Sequence, residues 1–236
     1  MGIVVQRFQA FSGTHFVLLA LFALGVGVVI AWGRRHRDGP AEQTDRRAFA
    51  VALALVAGTL QAYQLTPGDW DLGTSLPLQL CDLAWVAAVI ALWTRNPWAS
   101  AFTYYVGLSL TIQGVITPSL AENFPDPRFF GFWALHFLVV WAACYLTWGL
   151  GIWPTWRSYF FTVAVTAAWA VAAYAFNLVA DTNYGYLNRK PSSASLLDAL
   201  GPWPWYVFAE IAIVFFGWML IMTLPWVLLA KRRAGT

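Results

Sequence analysis

Charged residues are scarce in this sequence of 236 residues, and their scarcity argues against a soluble fold. Asp, Glu, Lys and Arg make up 11% of the chain, whereas 60% of its residues are hydrophobic. A typical soluble domain has about 25% charged residues. The chain is therefore predicted to be an integral membrane protein, and any chemistry that it performs is expected at membrane depth.

Lysine and cysteine are also rare, and each shortage excludes a class of proteins. Lys190 and Lys231 both fall outside the apolar segments, so no lysine is placed to hold retinal as a Schiff base. Cys81 and Cys144 both fall inside apolar segments, which argues against a disulfide framework of the secreted type. The basic residues flank the apolar segments and form no patch with interleaved aromatic residues, so no nucleic-acid partner is expected.

Seven apolar stretches approach or exceed the roughly 20 residues that a helix needs to cross the hydrocarbon layer. Their continuous hydrophobicity differs from the alternating pattern of membrane β-strands. We therefore predict an all-α, polytopic membrane protein with a single seven-helix transmembrane domain over residues 1–236 and a retained N-terminus. The predicted helices are residues 14–32, 48–65, 75–93, 98–116, 129–151, 159–180 and 205–230.

Lysine and arginine are divided unevenly between the two sides of the predicted bundle. The side with more of them is expected to face the cytoplasm, which places the N-terminus outside and the C-terminus inside. The richer side has Arg34, Arg35, Arg37, Arg46, Arg47, Arg95, Arg157, Lys231, Arg232 and Arg233, and the other side has Arg7, Arg128, Arg189 and Lys190.

Polar side chains inside the predicted helices gather near the outer face of the membrane. With a rise of about 1.5 Å per residue, Cys81 lies about 9 Å from the outer end of its helix, His136 about 10 Å and Glu210 about 8 Å. Gln113 and Asn177 lie within about 5 Å of the outer ends of their helices. Because polar groups at this depth are costly and commonly functional, we predict a pocket in the outer third of the bilayer.

Cys81 and His136 are a candidate nucleophile and base, because a thiol is activated when a nearby histidine takes its proton. Asp82 is rotated by about 100° from Cys81 on an ideal helix, so it is expected to orient the histidine from the side or to bind a neighbouring helix. Other interpretations stay open. Cys81 alone also fits a small buried hydrophobe, His136 an interhelical hydrogen bonder, and all three residues a metal site. The sequence has no H-E-x-x-H or C-x-x-C motif, so no metal or other cofactor is expected.

Three blocks of sequence carry a more specific signal. The first is LPLQLCDLA at residues 76–84, and the second is TPSL at 117–120 followed by FP at 124–125 and FF at 129–130. The third contains NY at 183–184, RKP at 189–191, SLLD at 195–198 and GPWPWY at 201–206. Together these blocks resemble the YwaF family of bacterial integral membrane proteins, which is similar to the animal transmembrane protein 164 family. The resemblance implies a bacterial plasma-membrane protein and a cysteine-dependent acyltransferase acting on lysophospholipids, with Cys81 and His136 as its catalytic residues.

We therefore predict a lipid acyltransferase or transacylase in which Cys81 carries the acyl group as a thioester, His136 is the general base, and Asp82 or Glu210 orients the histidine. The expected partner is a phospholipid or lysophospholipid of the bilayer, since its ester bonds lie near the depth of the polar cluster. The alternative is a non-enzymatic transporter, receptor or lipid-binding protein that uses the same pocket. The residues expected to bind substrate are Gln113, Asn183, Tyr184, Arg189, Lys190 and Glu210.

The polar segment of residues 181–203 precedes the last predicted helix, and Pro202 and Pro204 stiffen the chain where the segment meets that helix. We predict that it folds back over the outer mouth of the pocket, with Arg189 and Lys190 at the level of the lipid phosphates. The alternative is an ordinary solvated loop.

Overall fold

The computed structural model describes residues 8–192 and 195–234, and all regular secondary structure in these ranges is helical. Arg7, which the orientation argument uses, lies outside the described residues. Seven long helices follow one another along the chain. Three of them contain a π-helical stretch, which continues the helix without a break. They are α1 (Gly13–His36), α2 (Glu42–Gln64), α3 (Leu80–Thr94), α4 (Pro97–Val106, then π-helical Gly107–Thr111 and α-helical Ile112–Ile116), α5 (Pro127–Cys144, then π-helical Tyr145–Gly149), α6 (Trp156–Ala180) and α7 (Trp205–Gly217, then π-helical Trp218–Thr223 and α-helical Leu224–Ala234).

Four of the seven helices are long and apolar enough to cross a membrane, judged by length and composition. They comprise Gly13–His36, Pro127–Gly149, Trp156–Ala180 and Trp205–Arg232. Helix α3 is also apolar but has only 15 residues. The prediction of an all-helical membrane protein is confirmed, whereas the number of spans and their orientation stay predictions.

Polar side chains at the N-terminal ends determine where several helices begin. The side chains of Asn96, Asp126 and Thr155 accept hydrogen bonds from backbone N–H groups in the first turns of α4, α5 and α6. Such caps satisfy N–H groups that have no partner inside the helix. Helices α5 and α6 therefore begin at Pro127 and Trp156, slightly before the apolar runs from which they were predicted.

Helix α3 begins at Leu80, so its predicted start at residue 75 was wrong. Pro77 has no N–H group and restricts the residue before it to extended conformations. The Asp82 carboxylate accepts a hydrogen bond from the Gln79 N–H at 2.9 Å, which caps the helix two residues after the proline. Cys81 is consequently the second residue of α3 and does not lie about 9 Å inside it, as the assumed helical rise had predicted.

Helix α2 begins at Glu42, before the predicted start at residue 48, because its charged first turn is held by ion pairs. Glu42 accepts from Arg46 Nε at 2.8 Å and lies 3.7 Å from Arg95. Arg46 also donates to the Leu92 carbonyl of α3. The helix can therefore extend beyond its apolar stretch without leaving these charges unpaired.

Helix α5 is the centre of the bundle. Its apolar window is 67% buried by the rest of the protein, against 6% for α1 and 11% for α6 and α7. Helix α1 approaches the end of α5 closely, since a Cβ added to Gly33 would lie 2.6 Å from the Gly149 Cα. The outer helices thus leave most of their apolar surface facing away from the core.

Contacts between loops define two ends of the bundle. At one end, Arg128 at the start of α5 pairs with Asp69 of the α2–α3 loop at 3.0 Å. At the other, Arg37 after α1 donates to the Gly149 carbonyl at 2.9 Å. We call the first the Cys81 end, where α1, α3, α5 and α7 begin, and the second the arginine end.

Candidate functional site

A cavity of about 780 Å³ extends into the bundle from the Cys81 end. Helices α2 to α7 all contribute to its wall, and it has both polar and apolar parts. Its polar lining includes Cys81, Asp82, Gln113, His136 and Glu210, which sequence analysis had selected. Its apolar lining includes Trp85, Leu110, Val163, Val214 and Phe215. An amphipathic cavity of this kind suits a ligand with a polar group and a hydrocarbon chain.

Cys81 lines this cavity from the first turn of α3, and its side chain is partly exposed. The first N–H groups of a helix have no acceptor within it. Within residues 8–192 and 195–234, the N–H groups of Leu80 and Cys81 donate to no backbone carbonyl, whereas that of Asp82 donates to the Gln79 carbonyl. The Cys81 thiol itself lies against the N–H groups of Cys81 and Asp82, so it sits among the backbone donors of a helix start.

Asp82 caps the helix that carries Cys81. Its Oδ2 accepts from the Gln79 N–H, and in the described part of the chain it makes no hydrogen bond or ion pair with His136. The expectation that Asp82 orients the histidine is therefore not met by a direct contact. What Asp82 fixes is the point at which α3 begins, and with it the position of the neighbouring thiol.

His136 is held in one orientation by its own helix. Its Nδ1 lies 2.7 Å from the Phe132 carbonyl, and its ring stacks on the Phe132 ring with 4.1 Å between centroids. Because a carbonyl oxygen only accepts, Nδ1 carries the proton and Nε2 of the neutral imidazole has a lone pair. The absence of a side chain at Gly114 makes room for this edge of the ring, since a Cβ there would lie 2.7 Å from both Nε2 and Cδ2.

Cys81 and His136 line the same cavity but do not contact each other through a hydrogen bond in the part of the chain that the structure describes. The two members of the predicted dyad thus lie on α3 and α5 in the wall of one cavity, and their pairing stays a prediction.

Several other polar groups in the cavity wall lack partners among the described residues. The hydroxyls of Thr111 and Thr166 are buried without a hydrogen bond, and neither the Gln113 side chain nor the Glu210 carboxylate is bonded to a protein group. Glu210 lies on α7 and Gln113 on α4. Buried polar groups without a protein partner are usually satisfied by water or by a ligand.

Described residues of the segment 181–203 line part of the cavity, among them Tyr186, Leu187 and Leu197, whereas the position of the segment relative to a membrane stays a prediction. Tyr184 anchors it to the α2–α3 loop, since its hydroxyl donates to the Leu72 carbonyl at 2.7 Å and accepts from the Leu76 N–H at 3.1 Å. Gly185 adds a bond to the Gln79 side chain at 3.0 Å. The segment is therefore attached directly beside the start of α3.

Four residues that were predicted to bind substrate lie in this segment, and three of them hold it in place through their side chains. Asn183 accepts hydrogen bonds from the N–H groups of Asn188 and Arg189, and Tyr184 is the anchor already described. Lys190 lies 3.6 Å from Asp198, and the Arg189 side chain is exposed. Among the described residues that line the cavity, Asn183, Tyr184, Arg189 and Lys190 do not appear.

Arg128 is the basic residue that does line the cavity, and sequence reasoning did not select it. It pairs with Asp69 at 3.0 Å and with Glu122 at 3.2 Å, and its Nε is buried without a partner. The available signal was a single arginine just before a predicted helix start, closely preceded by acidic residues at positions 122 and 126. In the described ranges no three His, Cys, Asp or Glu side chains cluster as a metal site.

Comparison with known proteins identifies a family. Residues 10–222 match the model of the TMEM164 family, and this range includes Cys81, His136 and every element of the cavity wall. No curated protein and no solved structure matches the chain significantly.

Proposed function

The chain belongs to the TMEM164 family, and from this premise we propose that it is a lipid acyltransferase or transacylase that works inside the bilayer. The observation that carries the proposal is that the Cys81 thiol and the His136 imidazole both line the same amphipathic cavity. A phospholipid ester joins a polar headgroup region to a hydrocarbon chain, so it matches both parts of that wall.

The proposed reaction has two balanced half-reactions. The Cys81 sulfur attacks the ester carbonyl carbon while His136 Nε2 accepts the thiol proton, and the lysophospholipid leaves with that proton. Cys81 then carries the acyl group as a thioester. The hydroxyl of an acceptor lysophospholipid attacks the thioester, His136 accepts the hydroxyl proton and returns it to the Cys81 sulfur, and a new phospholipid is released.

The start of α3 supports this chemistry in a second way. Among the described residues, the N–H groups of Leu80 and Cys81 donate to no backbone carbonyl, and they are donors of the type that stabilise the oxyanion of a tetrahedral intermediate. Gln113 and Glu210 are proposed to bind polar groups of the substrate, since both line the cavity without a protein partner. An indirect role is proposed for Asn183, Tyr184 and Lys190. Their contacts hold the segment that covers part of the cavity, and they do not bind the substrate themselves.

The proposed activity predicts acyl exchange between bilayer lipids. The purified protein is placed in nanodiscs that contain a phospholipid with a deuterated acyl chain and an unlabelled lysophospholipid. We expect the deuterated chain to appear on the acceptor, as measured by mass spectrometry, because the cavity can admit both lipids in turn. Empty nanodiscs are the control. Folded protein that transfers no label from any donor headgroup class would contradict the proposal.

We propose further that all seven helices span a bacterial plasma membrane as one domain, with the N-terminus outside, as the uneven division of lysine and arginine predicts. In a background of Cys81→Ala and Cys144→Ala, Ser192→Cys should react with a membrane-impermeant maleimide on intact cells. Asp38→Cys should react only after permeabilisation. Both positions are exposed at opposite ends of the bundle, so burial does not explain a difference. The reverse pattern of labelling would overturn the orientation.

A further inference from the structure

The cavity wall is closed on one side and open on another. Where α2, α3 and α5 form the wall, Ala57, Leu80 and Leu135 are only 2%, 8% and 6% exposed. Where α6 and α7 form it, Val171 and Ile211 line the cavity and are nevertheless 72% and 56% exposed. Residues that line a cavity and also face outward mark the edge of an opening.

The two edges of this opening are apolar stripes. On α6, Val163, Ala167 and Val171 are spaced by four residues and line the cavity from one face of the helix. On α7, Val207 and Ile211 do the same. Both helices are candidate membrane spans, so an opening between them faces hydrocarbon and not water.

Contacts between α6 and α7 are concentrated toward the arginine end. There the Tyr159 hydroxyl donates to the Phe215 carbonyl at 3.1 Å, and the two rings pack with 5.8 Å between centroids. Toward the Cys81 end, no hydrogen bond or ring contact joins residues 163–180 to residues 205–214 in the described part of the chain. Trp169 of α6 instead donates to the Leu78 carbonyl beside α3 at 2.9 Å.

We propose that the gap between α6 and α7 is a lateral portal through which one acyl chain of a membrane phospholipid enters the cavity directly from the bilayer. The role of the portal in substrate entry rests on the proposed function, whereas its geometry rests on the exposure and contacts of α6 and α7. An acyl chain that entered through the water-facing mouth would have to leave the hydrocarbon first, which is strongly unfavourable. A lateral opening avoids that step and leaves the second chain of the lipid in the membrane.

The position of Glu210 fits this route. It lies next to Ile211 on α7, lines the cavity at the portal, and has no protein partner among the described residues. A lipid that enters between the apolar edges of α6 and α7 passes Glu210 before it reaches Cys81. The carboxyl group of Glu210 can then bind the polar groups of that lipid. The acyl chain can then lie along the apolar wall that includes Val163 and Phe215.

The test narrows the portal and follows lipid entry without depending on turnover. A phospholipid with a photoreactive diazirine in its acyl chain is incorporated in nanodiscs with the full-length protein, and labelled residues are mapped by mass spectrometry. In the parent protein we expect label on interior cavity residues such as Trp85 and Leu135. In the double variant Ala167→Trp with Ile211→Trp, that interior labelling is expected to be lost.

The matched control places the same side chains on the same two helices, in Ala168→Trp with Ile213→Trp. Both of these positions are exposed and do not line the cavity in the described structure, so interior labelling should persist. Ala167→Leu with Ile211→Phe is a milder pair if the tryptophans prevent folding. Interior labelling that is equal in a folded portal variant and in the control overturns the portal.

An activity measurement separates failure of the portal from failure of the proposed function. A short-chain phospholipid that dissolves as monomers can reach Cys81 through the mouth, so the portal variant should still use it while losing the bilayer phospholipid. Equal use of the bilayer phospholipid by variant and control overturns the portal alone. Absence of transfer by the parent protein, with interior photolabelling that still depends on the portal, overturns the enzyme proposal and supports the portal.

Discussion

Replacing Cys81 with alanine is expected to abolish covalent acylation of the protein, whereas replacing Cys144 with alanine is expected to leave it intact. The two residues are the only cysteines in the sequence, so they form a natural matched pair. Cys81 lines the cavity and is partly exposed, while Cys144 is 4% exposed in the core. Only the first can meet the carbonyl carbon of a lipid ester.

The measurement uses a phospholipid with an alkyne-tagged acyl chain and detects the tag on the protein after denaturation. Neutral hydroxylamine should remove the tag, because it cleaves a thioester. A Cys81→Ser variant that still became acylated would carry an oxygen ester, which resists this treatment. The turnover of Cys81→Ala should fall to near the background rate, since members of a nucleophile and base pair act as a unit. Undiminished, hydroxylamine-sensitive acylation in Cys81→Ala would exclude Cys81 as the nucleophile.

The helices could be predicted largely from the sequence because long apolar runs are the strongest signal that a membrane helix leaves. The start of α3 could not. Residues 75–79 contain two leucines and look like a continuation of the apolar run, whereas the actual start depends on Pro77 and on one hydrogen bond from Asp82. A count of hydrophobic residues registers neither. The correct start matters for the chemistry as well, because it places Cys81 among the backbone donors of a helix start and not deep inside the helix.

The candidate site was predictable in composition but not in arrangement. Cys81, Gln113, His136 and Glu210 were selected for their polarity at membrane depth, and all four line the cavity. Residues in the covering segment were selected for their charge or hydrogen-bonding groups. Tyr184 in fact reaches the α2–α3 loop, a pairing between residues more than 100 positions apart, which no local pattern reveals.

Arg128 is a cavity residue that sequence analysis did not select, because its position also depends on contacts between distant loops. Its guanidinium joins the α2–α3 loop to the α4–α5 loop through Asp69 and Glu122, at the same end of the cavity as the covering segment. In the sequence it is one more cation beside a predicted helix. Its role at the cavity follows only from the way the loops meet.

Replacing Gly114 with alanine is expected to lower the rate of acyl transfer by about 10² to 10⁴-fold, the usual contribution of a positioned general base. The new Cβ would lie 2.7 Å from Nε2 and Cδ2 of His136, far inside van der Waals contact. The imidazole cannot move away freely, since Nδ1 is bonded to the Phe132 carbonyl at 2.7 Å and the ring is stacked on Phe132. The substitution therefore forces Nε2, the proposed proton acceptor, out of position.

This loss of rate should occur without loss of folding. Alanine in a helix interior is favoured over glycine by roughly 0.5–1 kcal/mol, which offsets part of any strain at position 114. Gly58→Ala and Gly217→Ala are matched controls, because a Cβ at either helical position meets nothing within 4 Å. Both controls should keep the parent rate and gain slightly in thermal stability.

A double-mutant cycle determines whether Gly114→Ala acts through the histidine. If it does, Gly114→Ala combined with His136→Ala should be no slower than His136→Ala alone, because the group that the new methyl displaces is already absent. Additive losses would show that position 114 affects the rate by another route, such as the shape of the cavity. A Gly114→Ala variant with the parent rate would contradict the placement of His136 Nε2 as the base, since a proton acceptor cannot be displaced at this distance without consequence.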